Sequence, residues 1–153
     1  MAVTIVRESP DTVDAIHLIA ELDALLRSLY PPQSRNGFSV EKLLAEDVAF
    51  FLLRIDGTPA CCGGILLVGG AYGEIKRMYV RPEFRGLGFA KRMLDHLIDY
   101  ARAHHLSVLR LETGIHQREA IGLYERQGFC RIPPFGPYSD DPLCLCYEKQ
   151  LTN

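Results

Sequence analysis

Glu74-Ile75-Lys76-Arg77-Met78-Tyr79-Val80-Arg81-Pro82-Glu83-Phe84-Arg85-Gly86-Leu87-Gly88-Phe89-Ala90 is the stretch on which the reading of this chain turns. Tyr72 to Val80 has the composition of a strand, and Arg81-Pro82 ends it. Gly86 and Gly88 then stand at the entry to a helix. Its apolar stripe is Ala90, Leu94, Leu97, Ile98 and Ala101; its wet face carries Lys91, Arg92, Asp95 and Asp99. Glycines let a backbone approach a ligand closely, and a helix N-terminus offers unpaired amides and a positive dipole end. Lys76, Arg77, Arg81, Arg85, Lys91 and Arg92 surround this junction, opposed only by Glu83. The combination predicts an anion site, most naturally for a phosphate or pyrophosphate. The competing reading is a solvated charged loop with ordinary turn glycines. A P-loop is excluded because the Gly-Lys-Ser/Thr ending is missing, and the dinucleotide fingerprint because the third glycine does not match.

Working outward, residues 3–7 read as a short strand. Ser9-Pro10-Asp11 starts a helix, with Ser9 as cap and Pro10 in the first turn. Ala15, Leu18, Ile19, Leu22, Leu25, Leu26 and Leu29 form its stripe, and Tyr30-Pro31-Pro32 ends it. A polar loop follows, and Ser39 caps a short helix to about Ala45. Val48 to Ile55 is a buried strand, Asp56-Gly57 a hairpin turn and 60–68 the returning strand. Gly69-Gly70 turns the chain into the strand at 72–80, completing an antiparallel meander. Beyond the helix after Gly88, Val108 to Leu111 is a strand. Glu119 to Arg126 is a helix stopped at Gln127-Gly128. Phe129–Ile132 and Leu143–Lys149 are the last strands. The order β-α-α-β-β-β-α-β-α-β-β describes one α+β domain over 3–153, on a mixed, mostly antiparallel sheet.

The 153 residues suit a single domain, and the net charge of −2 is a poor match for general nucleic-acid binding. No apolar run approaches the roughly 20 residues of a membrane helix. The N-terminus lacks the basic head and apolar stretch of a signal peptide, so a cytoplasmic location is expected. Cys61, Cys62, Cys130, Cys144 and Cys146 are odd in number and lack zinc-type spacing. They read as free, mostly buried thiols, with no metal expected.

The stretch from Glu74 to Ala90 resembles the central motif of the GCN5-related N-acetyltransferase (GNAT) superfamily. Its Arg/Gln-x-x-Gly-x-Gly/Ala core corresponds to Arg85–Ala90. Ala120-x-x-Leu123-Tyr124-Glu125-x-x-Gly128-Phe129 is similar to the second hallmark of the same family. The resemblance implies the GNAT acyl-CoA N-acyltransferase fold, with about four helices flanking the sheet. It implies acetyl-CoA as acyl donor and transfer of acetyl to a primary amine by direct attack in a ternary complex. Arg85, Gly86, Leu87, Gly88, Phe89 and Ala90 would wrap the pyrophosphate with backbone amides. Met78, Tyr79 and Val80 would pair with the pantetheine arm, with an amide near Met78 or Tyr79 polarising the acetyl carbonyl.

By the same resemblance Tyr124 would protonate the leaving thiolate; the alternative is a core tyrosine bound to structure. Glu74 matches a general-base glutamate of some members, or it is a carboxylate paired with a nearby Lys or Arg. Glu112 is its rival as base. Gln117 stands where many members carry a cofactor-contacting Asn, a departure that keeps the amide with a longer reach. The loop 133–142 would border the acceptor pocket, where Tyr138, Asp140 and Asp141 could attract a cationic amine, the alternative being aspartates that cap turns. Arg35, in the loop 30–38, could meet an acceptor carboxylate. A small molecule or amino acid is the expected acceptor, and a homodimer is a family-level expectation. The alternatives are a protein lysine or N-terminus as acceptor, or an acyl-CoA sensor without turnover.

Overall fold

The computed structural model describes residues 1–151. Its strands are β1 (Val3–Arg7), β2 (Ala49–Ile55), β3 (Thr58–Val68), β4 (Tyr72–Val80), β5 (Val108–Gly114), β6 (Cys130–Ile132) and β7 (Cys144–Gln150). Its helices are α1 (Val13–Leu29), α2 (Val40–Ala45), α3 (Phe89–Ala103) and α4 (Arg118–Arg126). The strands form one sheet in the order β1-β2-β3-β4-β5-β7-β6. Only β4 and β5 run parallel; the other five pairings are antiparallel.

Both faces of the sheet are covered, which is why β2 reads as a continuous apolar run rather than an alternation. Phe50 and Leu52 pack toward α1 with Leu18, Ile19, Leu22 and Leu43. Phe51 and Leu53 pack on the other face with Met93, Leu94, Leu97 and Leu109. The adjacent Cys61 and Cys62 divide between these two cores for the same period-two reason. All five cysteines are free; three are buried, Cys144 is half-buried and Cys130 is exposed.

Two boundaries differ from the sequence reading. Helix α1 is capped by Thr12, whose hydroxyl accepts from the Ala15 amide at 3.3 Å, and not by Ser9. Ser9 instead donates to Asp11, and the Thr12 amide donates to the Ser9 carbonyl, so residues 9–12 make a turn before the helix begins. Strand β5 runs on to Gly114 because β7 pairs with it along its whole length, from Val108↔Gln150 to Gly114↔Cys144. Local propensity cannot foresee that partner.

Candidate active site

Strand β4 touches β5 at only two register positions, Gly73↔Leu109 and Glu74↔Arg110. Beyond Glu74 the strands part, and β5 keeps β7 as its partner. The β5-facing edge of Met78–Val80 is therefore left without a strand. Such an edge offers N–H and C=O groups to any extended ligand laid along it. The β3–β4 register slips between Cys62 and Gly64, so Arg77 and Met78 bulge opposite Gly63. Arg77 takes a φ of 57°, and its carbonyl accepts from the Cys62 thiol at 3.3 Å. Burial pushes that thiol up to about 12, which keeps it a neutral donor. The bulge also breaks the alternation of β4 and turns both Lys76 and Arg77 toward α1 and its neighbouring loops.

At the end of β4 the chain makes one short turn over Pro82–Phe84 and reaches α3. Gly86 and Gly88 adopt φ of 77° and 84°, and open space lies where their Cβ atoms would be. The amides of Gly86, Leu87, Gly88, Phe89 and Ala90 find no acceptor among the described residues. They crown the N-terminus of a 15-residue helix, so the loop is built to receive an anion. Phe89 is buried and Ala90 packs against the core, so both can serve a ligand only through their backbone. Tyr79 likewise turns its hydroxyl to Glu21 at 3.1 Å, away from the cleft.

The basic cluster is smaller than the sequence suggests. Arg77 pairs with Asp23, Arg81 with Glu21 at 2.9 Å, and Lys76 with Glu74 at 2.7 Å. These carboxylates come from α1 or from the strand itself, so a window over residues 76–92 does not see most of them. Among the described residues Arg85 and Arg92 remain without a carboxylate, and Lys91 shares Asp95 at 2.8 Å. What the loop offers an anion is therefore chiefly its amides and the helix end.

Where β4 and β5 separate lies a cavity of about 80 Å³. Met78, Tyr124, Glu112, Gln117, Tyr30 and Arg35 are among its walls. Helix α4 sets Tyr124 against Phe129, edge to face at 5.6 Å. Burial raises the phenol well above its ordinary range, and the Cys61 thiol adds to the effect. The hydroxyl has no hydrogen-bond partner among the described residues. Glu112 projects from β5 on the face opposite Leu109 and Leu111. Burial raises its carboxyl, while the Cys144 thiol, the Asn36 amide and Lys76 partly offset that rise. Glu112 also lines a second, larger recess of about 660 Å³ under the loop 133–142, so it stands between the two.

Gln117 is held from behind. Its Oε1 accepts from the Gly114 amide at 3.1 Å and from the Tyr30 hydroxyl at 3.3 Å. The Tyr30 oxygen in turn accepts from the His116 amide at 3.1 Å. This clamp needs a glycine at 114, because a Cβ there would stand 1.9 Å from the Tyr30 oxygen. His104 and His105 are exposed, and His116 stacks its ring on Tyr30 from the surface.

Glu74 does not line the cavity. It is 3% exposed, and its carboxylate holds Lys76 and accepts from the Tyr138 hydroxyl. Lys76 is also 2.7 Å from that hydroxyl and sits 4.0 Å from the centre of the Phe38 ring. Tyr138 is thereby locked as a wall of the cavity, with burial and the Glu74 charge keeping its phenol protonated. The loop around it is tied to the loop after α1. Ser34 donates to Asp141 at 2.6 Å, and the Leu143 amide donates to the same carboxylate at 2.9 Å. These bonds lower the Asp141 carboxyl, which works as a turn cap. Asp140 stays exposed.

The Acetyltransferase (GNAT) family model matches residues 18–129, and a protein named IAA acetyltransferase from Azospirillum brasilense is 46% identical over 97% of this chain and 98% of its own. The chain belongs to the GNAT family. Its chemistry is acyl transfer from an acyl-coenzyme A to an amine. An acyl-CoA N-acyltransferase from Klebsiella pneumoniae superposes with a TM-score of 0.83 at 37% identity, covering 98% of both chains. A PaiA N-acetyltransferase from Thermoplasma acidophilum, solved in complex with coenzyme A, shares the fold with a TM-score of 0.79 at 19% identity, over 99% of this chain and all of its own.

The chain's own features fit a coenzyme A donor at both ends. The open amides of 86–90 suit its phosphates, and the free β4 edge suits the amide-bearing pantetheine arm. Among the described residues no group of His, Cys, Asp and Glu could hold a metal ion, and no helix is long and apolar enough to cross a membrane. Of the residues singled out in the sequence, the GNAT cleft gathers Met78, Tyr124 and Gln117 around one cavity with Glu112 and Arg35. Glu74 stands behind its wall. Tyr30 and Asn36 belong to the loop 30–38 read as a candidate wall, without being singled out there; Cys144 was not foreseen. Glu74 takes the alternative read for it, a carboxylate paired with a nearby lysine, Lys76. The i, i+2 spacing of Glu74 and Lys76 on one strand was the available signal for that pair.

Proposed function

We propose that this GNAT enzyme acetylates a small primary amine, with Glu112 as general base and Tyr124 as general acid. The observation that carries the reading is the placement of both side chains on one cavity at the point where β4 and β5 part. The donor supplies an acyl thioester along the β4 edge. Glu112, on β5, takes the proton that the ammonium must lose, either directly or through water. Burial has already made its carboxylate a better base than an ordinary one. An amide near Met78 donates to the carbonyl oxygen as negative charge develops there. The amine nitrogen bonds to the carbonyl carbon, the carbon–sulfur bond breaks, and Tyr124 gives its proton to the departing thiolate. Burial keeps its phenol protonated at neutral pH, so the proton is in place when the thiolate leaves.

Glu74 fits a supporting role better than that of base, since Lys76 and Tyr138 already occupy its carboxylate. A small acceptor agrees with the Ser34–Asp141 bridge, which narrows the route a protein segment would need. The likeness to IAA acetyltransferase also supports a small-molecule acceptor. The test is product formation from isotope-labelled acetyl-CoA, read by mass, over amines, amino acids and short peptides. Labelled small-molecule product is expected. Labelled peptide alone, or coenzyme A binding with no product, would overturn the reading.

A further inference from the structure

The cavity carries three cations and one free anion in its walls, and most of that charge is already cancelled. Lys76 is matched by Glu74 and Arg77 by Asp23. Glu112 forms no ion pair among the described residues; its carboxylate meets only the Cys144 thiol and the Asn36 amide. Arg35 forms no side-chain hydrogen bond or ion pair among the described residues. Arginines in that state are expected at the surface, and Arg27, Arg92, Arg118 and Arg126 are all exposed. Arg35 is half-buried and lines the cavity. An unmatched guanidinium loses hydration there without any protein group in return, so its position needs a ligand to explain it. After pairing, the site keeps one positive and one negative group, and they do not pair with each other.

We infer that the acceptor is a zwitterion, an apolar amino acid whose carboxylate is bound by Arg35 and whose amine faces Glu112. This rests on the acyl-transfer reading above and names its substrate class. The guanidinium fork matches a carboxylate in a two-bond geometry. With Arg35 and Glu112 both on the walls of one cavity, a carboxylate held by the first turns the amine toward the second. Leu22, Leu26 and Leu111 supply the apolar wall for the side chain.

The test compares acids with their decarboxylated counterparts. Protein saturated with coenzyme A is titrated calorimetrically with L-leucine and L-phenylalanine, and with 3-methylbutylamine and 2-phenylethylamine. The same four compounds are offered with labelled acetyl-CoA, and product is read by mass. Wild type is expected to bind the amino acids about 10- to 100-fold more tightly than the amines. Arg35→Ala should abolish that difference and leave the amines unchanged, and Arg35→Lys should restore part of it. Arg27→Ala is the control and should match wild type. Arg35 makes no side-chain hydrogen bond or ion pair among the described residues, so its replacement breaks none. Equal binding of acids and amines, an equal loss of both in Arg35→Ala, or binding of none of the four would overturn the inference. Product without carboxylate preference would overturn it and leave amine acetylation standing. An Arg35-dependent preference without product would support it and overturn the transfer reading.

Discussion

The donor end of the cleft is made of backbone and the acceptor end of side chains. At the donor end the cleft presents a bare strand edge and a run of free amides, and the side chains of Tyr79 and Phe89 are buried away from it. At the acceptor end Glu74, Lys76 and Tyr138 lock one wall, while Ser34 and Asp141 join two loops. A backbone surface tolerates change in side chains provided the dihedral angles survive. A side-chain network can be re-specified residue by residue without disturbing the sheet.

The sharpest way to break this contrast is at Gly86. Its φ of 77° is a left-handed conformation that costs an L-residue roughly 1–2 kcal/mol, although the space beside it is open. Gly86→Asp adds a negative charge facing the phosphates. Coenzyme A affinity measured by calorimetry should fall by about 100-fold or more, whereas Arg85→Ala, which changes only a side chain, should cost far less.

At the acceptor end Glu112→Gln should lower kcat by about 100-fold with coenzyme A binding unchanged. Wild-type activity should fall as the pH drops through the raised Glu112 pKa, and that limb should vanish in the variant. The same shift has a stability sign. A carboxyl raised by folding stabilises fully below its unfolded pKa and loses that contribution as pH rises through the folded one. Glu112→Gln should therefore raise Tm by about 2 °C at pH 7 and leave it unchanged at pH 4. A base that the fold would rather not keep charged is a mark of function over stability.

Gly114→Ala should destabilise by about 2 kcal/mol, because the new methyl group displaces Tyr30 and frees Gln117. Thermal unfolding checks the loss, and raised KM for acceptor with an unaltered coenzyme A affinity would place the damage at that end. Tyr124→Phe should lower kcat about tenfold with little change in coenzyme A affinity. Equal turnover in the two proteins would remove Tyr124 from the proton path.

The contrast also explains what could be read in the chain. The strand, the glycine pair and the following helix lie within residues 74–90, and short-range rules recover them. The meander and both hallmark stretches were legible for the same reason. The cation pairs were not, since Arg77 and Arg81 find Asp23 and Glu21, 54 and 60 positions away. Tyr30 and Gln117 meet across 87 positions. The sequence placed both rival glutamates on neighbouring strands, but only Lys76 and Tyr138 closing on Glu74 separates their surroundings. Thr12 replaced Ser9 as cap because a turn competed locally with the helix start.

The bridge from Ser34 to Asp141 spans 107 positions, and the Cys144 thiol reaches the Ser34 carbonyl across 110. Contacts of that kind close long loops and hold few buried apolar groups, so this rim is expected to be among the least protected parts of the molecule. Amides of residues 33–36 and 138–142 should exchange with solvent well before those of the sheet. One hydrogen bond thus joins the two loops across the rim, and removing it with Ser34→Ala should hasten product release while leaving Tm nearly unchanged.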